Sequence, residues 1–427
     1  MWYHGRDAIL DSSTSSSSAS SSPSPPLPPL STGRIGRATS RNGLLWRRDD
    51  EGSVDSDRIG TSLGLNVDSW YGFDTSHIGL GQVLLPMTTP SIRSEGGVYV
   101  MYYMGGNHEL TDLVSYLPRD SDDGGDEDGG GREGLIPPNA KLRGMKLRIG
   151  AAISQDGITW GRIEGDDPTG ACMVPYDASD INNVDVSIAK DDRTGRYYDV
   201  DEELYCGWPE VVVNPVGPNE NTKKGSGAST DPNRNNFYMY YSTMLKESRA
   251  KTIACAVSNN GFAWSKMGAV EFVDGPTYSS SLDGGGCARC NVVRRSSLNE
   301  DGLWEQDATG KASWMMFYEG VSIEDGRHRI LAAESDDLRV WTKLGLALDV
   351  GGAGEGGGND DNDGDDEAWD SRGVGSPHVI RLDDGFFRMY YTGEGSDGRT
   401  AIGVARSVDM IVWERERVVE LSSLLNR

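Results

Sequence analysis

The sequence predicts an all-β chain: a five-bladed β-propeller of four-stranded antiparallel blades, with the first blade lacking its inner strand. Three observations predict it. One motif places an Ile, a Ser five residues on and a Trp eleven residues after the Ile. It occurs five times without a gap: "IGRATSRNGLLW" (35–46), "IGAAISQDGITW" (149–160), "IACAVSNNGFAW" (253–264), "ILAAESDDLRVW" (330–341) and "IGVARSVDMIVW" (402–413). A second motif precedes each: "MWYHG" (1–5), "MYYMG" (101–105), "MYYST" (239–243), "MFYEG" (316–320) and "MYYTG" (389–393). A third, opening on Asp, precedes the second four times: "DTSHIGLGQVLL" (74–85), "DINNVDVSIAKD" (180–191), "DGGGCARCNVVR" (283–294) and "DSRGVGSPHVIR" (370–381).

Each motif maps to an element. Residues after the Asp end in an apolar run and read as the inner strand. Adjacent aromatics in the second motif put one ring on each face, so this strand is buried on both sides. Small and apolar residues alternate before the Ser and form the third strand. The Asp, Asn and Gly that follow make a turn, and the Trp opens the outer strand. Five such units form a propeller with its core between blade faces. One domain over 1–427 is expected, with blades near 1–66, 67–172, 173–277, 278–350 and 368–420. Residues 1–5 read as a second strand, so the first blade's inner strand is expected upstream or replaced by another segment. Low-complexity insertions are read at about 11–32, 118–140, 217–234 and 351–367.

The formal charge of −25 argues against a nucleic-acid partner and fits a neutral or cationic ligand, or simply a solvated surface. Much of the acid lies in "RDSDDGGDEDGGGREG" (119–134) and "GGAGEGGGNDDNDGDDE" (351–367). No apolar run reaches the ~18–20 residues that cross a membrane, and no signal peptide is visible. A soluble monomer is expected, and its compartment is not read. Five cysteines do not suggest a disulfide framework. Cys287 and Cys290 form a CxxC with no second CxxC and no His at zinc spacing. No metal or cofactor is expected.

In a propeller the loops from second to third strands share one face with the mouth of the channel. The insertions at 7–32 and 106–146 are such loops, and those at 192–235 and 295–311 belong to the opposite face. What repeats serves the blade. Asp74, Asp180, Asp283 and Asp370 recur in register and read as loop anchors. What breaks the repeat is a candidate for chemistry. Five residues after the Asp stand Gly79, Asp185, Ala288 and Gly375, and Asp185 is the exception. Arg289, His77, His378 and Glu319 are asymmetric polar residues at neighbouring positions. The other reading of each is a paired or exposed polar residue at a loop edge. Glu210, in "CGWPEVVV" (206–213), is assigned to the opposite-face insertion and ranks lower.

The combination of "RMYYTG" (388–393), "IGVARSVDMIVW" (402–413) and "WDSRGVGSPHVI" (369–380) resembles the five-bladed propeller superfamily of glycoside hydrolases. That group includes arabinanases, levansucrases and invertases, of the family 43 and family 32 kind. The nearest likeness is to uncharacterised plant and algal members. The resemblance implies three carboxylates around an axial pocket: a nucleophile or base, an Asp that tunes, and a Glu that acts as acid. One carboxyl must be protonated and one ionised. The resemblance implies Asp185 for the second role and Glu319 for the acid, although Glu319 ends a second strand rather than lying on an inner one. The first carboxylate would sit on the Asp74 strand or on the missing inner strand of the first blade, depending on which blade counts as first. His77, Arg289 and His378 would then bind an oligosaccharide or small glycoside. Two alternatives stay open: a non-catalytic carbohydrate-binding propeller, which needs no acid pair, and a protein-interaction scaffold, which needs an exposed apolar patch.

Overall fold

The computed structural model describes residues 1–6, 33–49, 60–85, 97–117, 139–179, 187–191, 194–213, 237–295, 314–352 and 368–416. Of the expected insertions, 11–32 and 217–234 lie outside these residues, as do 118–138 and 353–367. The described chain is all-β with almost no helix. None of its helices is long and apolar enough to cross a membrane. It divides into two compact units, 1–39 with 47–269 and 40–46 with 270–427.

In the first unit Trp2–Arg6 pairs antiparallel with Gly33–Thr39, which also pairs with Arg47–Arg48 and Thr61–Leu63. The second repeat runs His77–Leu84, Tyr99–Gly106, Arg148–Ser154 and Gly161–Ile163, each pairing with the next. The third runs Gly207–Val213, Phe237–Met244, Lys251–Ser258 and Ser265–Ala269. The second unit holds the fourth repeat, Cys287–Arg294, Trp314–Val321, His328–Ser335 and Val340–Leu348. The fifth is Gly373–Arg381, Phe387–Glu394, Thr400–Ser407 and Glu414–Arg415.

The third repeat differs from the sequence expectation. Its inner strand is Gly207–Val213, not the segment 180–191. Ser187–Ile188 instead pairs parallel with the outer strand Ser265–Ala269, at the far edge of the sheet. The β-branched run Val211–Val213 makes the buried strand, and the Trp208-Pro209 pair that resembles a loop marks a bulge within it. Glu210 is therefore an inner-strand residue.

The core lies between neighbouring repeats. In the second unit Met315 and Phe317 pack with Met389, Tyr391 and Trp413. In the first, Tyr102 and Ile149 pack with Met239, Tyr241 and Trp264. Burying such side chains is worth about 1.5–3 kcal/mol each and drives the stacking of the sheets.

Two polar devices repeat with the strands. The Ser at the end of each third strand donates to the Asp or Asn two residues on and accepts the N–H three residues on. Ser40, Ser154, Ser258, Ser335 and Ser407 all do so. The residue three on has a positive φ in all five turns. It is Gly43, Gly157 and Gly261 in three, but Leu338 (φ 63) and Met410 (φ 64) in two. The first aromatic of the second motif then reaches a neighbouring turn: Trp2 Nε1 donates to the Gly157 carbonyl, Tyr102 OH to Gly261 and Tyr390 OH to Gly43.

The second device is a buried trio of acid, tyrosine and cation. Tyr103 OH and Arg162 Nε both donate to Asp74 Oδ2, at 2.9 and 2.6 Å. Tyr391 and Arg415 do the same to Asp370. Tyr318 donates to Asp283, and Lys343 lies 2.7 Å from the same oxygen. In the third repeat the acid is Glu203, bound by Tyr241 at 2.7 Å and Lys266 at 2.6 Å. Lys266 is fully buried, which is tolerable only because its counter-charge is buried with it.

Candidate functional site

Every inner strand from the second repeat onward carries a bulge at one register position. The pairing shifts between Leu80 and Gln82, between Gly207 and Glu210, between Ala288 and Cys290, and between Gly375 and His378. Gly79, Gly207, Ala288 and Gly375 precede the bulge and lie across from Met104, Ser242, Glu319 and Thr392. The four inner-strand residues are all small, so no inner strand places a carboxylate there. Asp185 looked exceptional only because the third inner strand was misassigned; Asp185 itself lies outside the described residues.

The bulges hold non-glycine residues in the left-handed region: Trp208 (φ 49), Arg289 (φ 35) and Ser376 (φ 51). Such backbone costs on the order of 1–3 kcal/mol per residue and persists where the surroundings over-determine it. A bulge re-aims the side chain it carries.

In the second unit this brings four polar residues together. Arg289 Nη1 donates to Ser376 Oγ at 2.8 Å. Ser376 N–H donates to Glu319 Oε2 at 3.2 Å, and His328 Nδ1 lies 2.7 Å from Glu319 Oε1. Arg289 Nη1 is 3.7 Å from Glu319 Oε2. The Glu319 side chain is 7% exposed, that of Arg289 30% and that of His328 49%. A Cβ on Gly375 would collide with the Glu319 carboxylate, so the glycine makes room for it. Burial alone would raise the pKa of Glu319. The Arg289 charge and the hydrogen bonds from His328 and Ser376 outweigh it and hold the pKa at about 2. The acid role requires a proton on Glu319 in the resting state. A pKa this low favours the ionised carboxylate at neutral pH.

The first unit is apolar at the corresponding place. Half-buried Trp208 and Tyr116 pack with Met104, Leu147, Tyr205 and Met244. Tyr205 and Trp208 meet edge to face at 6.4 Å. Aromatic faces of this kind suit the C–H faces of a ring-shaped ligand.

The remaining expected residues fall elsewhere. Asp74 is 1% exposed inside its trio, and its carboxyl is engaged by Tyr103 and Arg162. Its place in a repeated structural device leaves no exposed carboxylate for chemistry. His77 is 2% exposed at the start of its strand, and neither ring nitrogen has a hydrogen-bond partner. Burial and the neighbouring His4 lower its pKa to about 4, so it is a neutral imidazole. His378 is exposed and stands in register with Gln82, Glu210 and Asn291. At that position Gln82 Oε1 accepts the Val211 N–H and Asn291 Oδ1 accepts the Val379 N–H, tying one inner strand to the next. Gln82 Nε2 also donates to Glu210 Oε1. Of the sequence candidates, the structure unites Arg289 with Glu319. It adds His328 and Ser376, which sequence reasoning missed. The signal for Ser376 was its position beside Arg289 in the aligned repeats; His328 carried none. Cys287 and Cys290 are both buried, and among the described residues no group of three or more His, Cys, Asp or Glu could hold a metal ion.

No protein-family model matches the chain, and no curated protein matches it. Solved structures are similar to it at low identity. A glycosyl hydrolase from Bacteroides ovatus is 16% identical with a TM-score of 0.40, covering 81% of this chain and 73% of its own. An N-acetylgalactosamine deacetylase from F. plautii, in complex with blood group B trisaccharide, is 14% identical with a TM-score of 0.44, covering 91% and 85%. A β-1,2-mannobiose phosphorylase from Listeria innocua is 12% identical with a TM-score of 0.40, covering 80% and 77%. The expected nearest likeness to plant and algal proteins is not supported. Likenesses this distant do not bear on activity.

Proposed function

We propose that this chain is a carbohydrate-active β-propeller protein that binds an oligosaccharide at the bulge cluster of Arg289, Ser376, Glu319 and His328. The reading takes the five repeats as the blades of one five-bladed propeller. The observation that carries it is the pair of strained bulge residues. Arg289 and Ser376 hold the left-handed backbone at the same register position and meet each other across two inner strands. Strain kept at a polar, partly open cluster is a mark of function rather than of folding. Arg and Ser offer directional hydrogen bonds of the kind that sugar hydroxyls and ring substituents use. Titration calorimetry against a panel of oligosaccharides tests this. Wild type should bind a member of the panel, and Ser376→Ala and Arg289→Ala should each weaken that binding about tenfold. A wild-type protein that binds none of the panel ends the reading.

Turnover is the second reading. An ionised Glu319 suits the base or nucleophile role, not the acid. A hydrolase of this kind would release reducing sugar, and Glu319→Gln would abolish release.

A further inference from the structure

We propose that the loop bearing Trp70 and Tyr71 is a second saccharide site and that its ligand class is an amino-sugar oligosaccharide. This rests on the carbohydrate reading above and extends it to a part of the first unit that shares no residue with the Arg289 cluster. Trp70 is 93% exposed and Tyr71 44%. Their rings meet edge to face at 5.6 Å. Neither ring belongs to an apolar core cluster of the unit, so neither contributes the burial that stabilises a fold.

The repeats show what an aromatic residue just before the anchoring Asp does for a blade. Phe73 stacks on Tyr103 at 5.5 Å, and Trp369 stacks on Tyr391 at 5.8 Å. Trp70 and Tyr71 come in addition to Phe73, on a backbone that is held in place. Asn66 N–H donates to the Asp74 carbonyl, Gly72 N–H to Ser69 Oγ and Phe73 N–H to the Thr169 carbonyl. Tyr71 OH donates to Glu164 Oε1 at 3.4 Å. A ligand that lands on the exposed ring therefore has little loop to order.

Ring and charge together name the ligand. The face of Trp70 is a platform for the C–H face of a sugar. The charges beside it are of one sign. Asp68, Glu164 and Asp166 are exposed carboxylates on the two joined loops. The cation on the same stretch, Arg162, is engaged by Asp74 Oδ2 and by the Gly64 carbonyl, each at 2.6 Å. A neutral sugar would use the platform and leave the charge unanswered. A small ammonium ion would answer the charge and cover little of the platform. An amino sugar does both: its ring stacks on Trp70, and its ammonium group is attracted by carboxylates and by the electron-rich ring face. The net charge of −25 favours the approach of such a cation.

The test is calorimetry on the full wild-type chain at mildly acidic pH with four probes: glucosamine trisaccharide, its fully N-acetylated form, trilysine and choline. Acetylation keeps the sugar and removes the charge. Expected is binding of the amino sugar about tenfold tighter than its acetylated form, weakened by added salt. Trp70→Ala should weaken it about fivefold or more, and Trp70→Phe should restore part of the loss. Because the ring is exposed, Trp70→Ala should unfold at the wild-type denaturant midpoint. If the acetylated form binds as tightly as the amine, the amino-sugar inference fails. It fails equally if trilysine or choline binds as tightly with the same dependence on Trp70, which would make this a plain cation site. Binding that Trp70→Ala leaves unchanged would remove the site from this loop. If none of the four binds, the inference fails, and the oligosaccharide panel with Ser376→Ala and Arg289→Ala decides the carbohydrate reading separately.

Discussion

The carboxylate of Glu319 occupies the space that a side chain at Gly375 would need. One residue lies near the end of the second strand of its repeat and the other lies on the inner strand of the next, so the contact couples two repeats through an absence. Gly375→Ala is expected to push the carboxylate off the Ser376 N–H and to destabilise the protein by about 1–3 kcal/mol. Denaturant unfolding of Gly375→Ala, Glu319→Ala and the double variant measures it. The double variant should be less destabilised than the sum of the singles, because removing Glu319 vacates the space. Simple additivity would deny the contact.

Acid should act on Glu319 in a defined window. Its folded pKa of about 2 lies below the ordinary value of 4.5. The stabilisation is therefore complete above about pH 4.5 and is lost as pH falls toward 2. The shift corresponds to a loss of the order of 3 kcal/mol. Urea unfolding of wild type and Glu319→Gln between pH 6 and pH 2.5 should show curves that converge in acid. Parallel curves would mean that the carboxylate is not held as described.

Burial of charge governs the trios. Lys266→Met leaves Glu203 buried without its cation and should cost about 3–5 kcal/mol. Adding Glu203→Leu should return much of it. Asp74→Asn should likewise lower stability while leaving saccharide affinity of the folded protein unchanged. A large loss of affinity at undiminished stability would restore Asp74 as a site residue.

His77 should make the protein acid-sensitive at milder pH. Its folded pKa of about 4 lies below 6.5, so the unfolded chain takes up the proton first. Stability must then fall as pH drops from about 6.5 toward 4, by an amount of the order of 3 kcal/mol. His77→Leu should flatten unfolding free energy across that interval relative to wild type. An unchanged pH profile would show that the imidazole is not buried neutral.

The Ser and Trp motif located all five turns because those turns are local: each Ser bonds within three residues of itself. The third inner strand was not legible in the same way. Trp208 and Pro209 carry loop chemistry, and the bulge they form is a property of pairing with Tyr240 and Ser242, more than thirty residues away. One signal could have found it. A cation stands two residues after each repeated Trp, at Arg48, Arg162, Lys266, Lys343 and Arg415. A buried cation requires a carboxylate, and Glu203 stands before the Val-rich run as Asp283 does before its own strand. At the site, Arg289 and Glu319 were visible as departures from the repeat. His328 was not, because its partner is reached through strand pairing and sidechain packing that no spacing encodes.

The trios have a consequence for modularity. In each of the four, the acid, the tyrosine and the cation come from a single repeat. Each of these four repeats therefore pairs the acid and the cation of its own trio before it meets a neighbour. Excising or duplicating one of the four whole would strand no trio ion in the interior, whereas a cut placed between the tyrosine and the cation would. Circular permutants and repeat-number variants of this chain should tolerate junctions after the cation-bearing strand and reject junctions inside the trio.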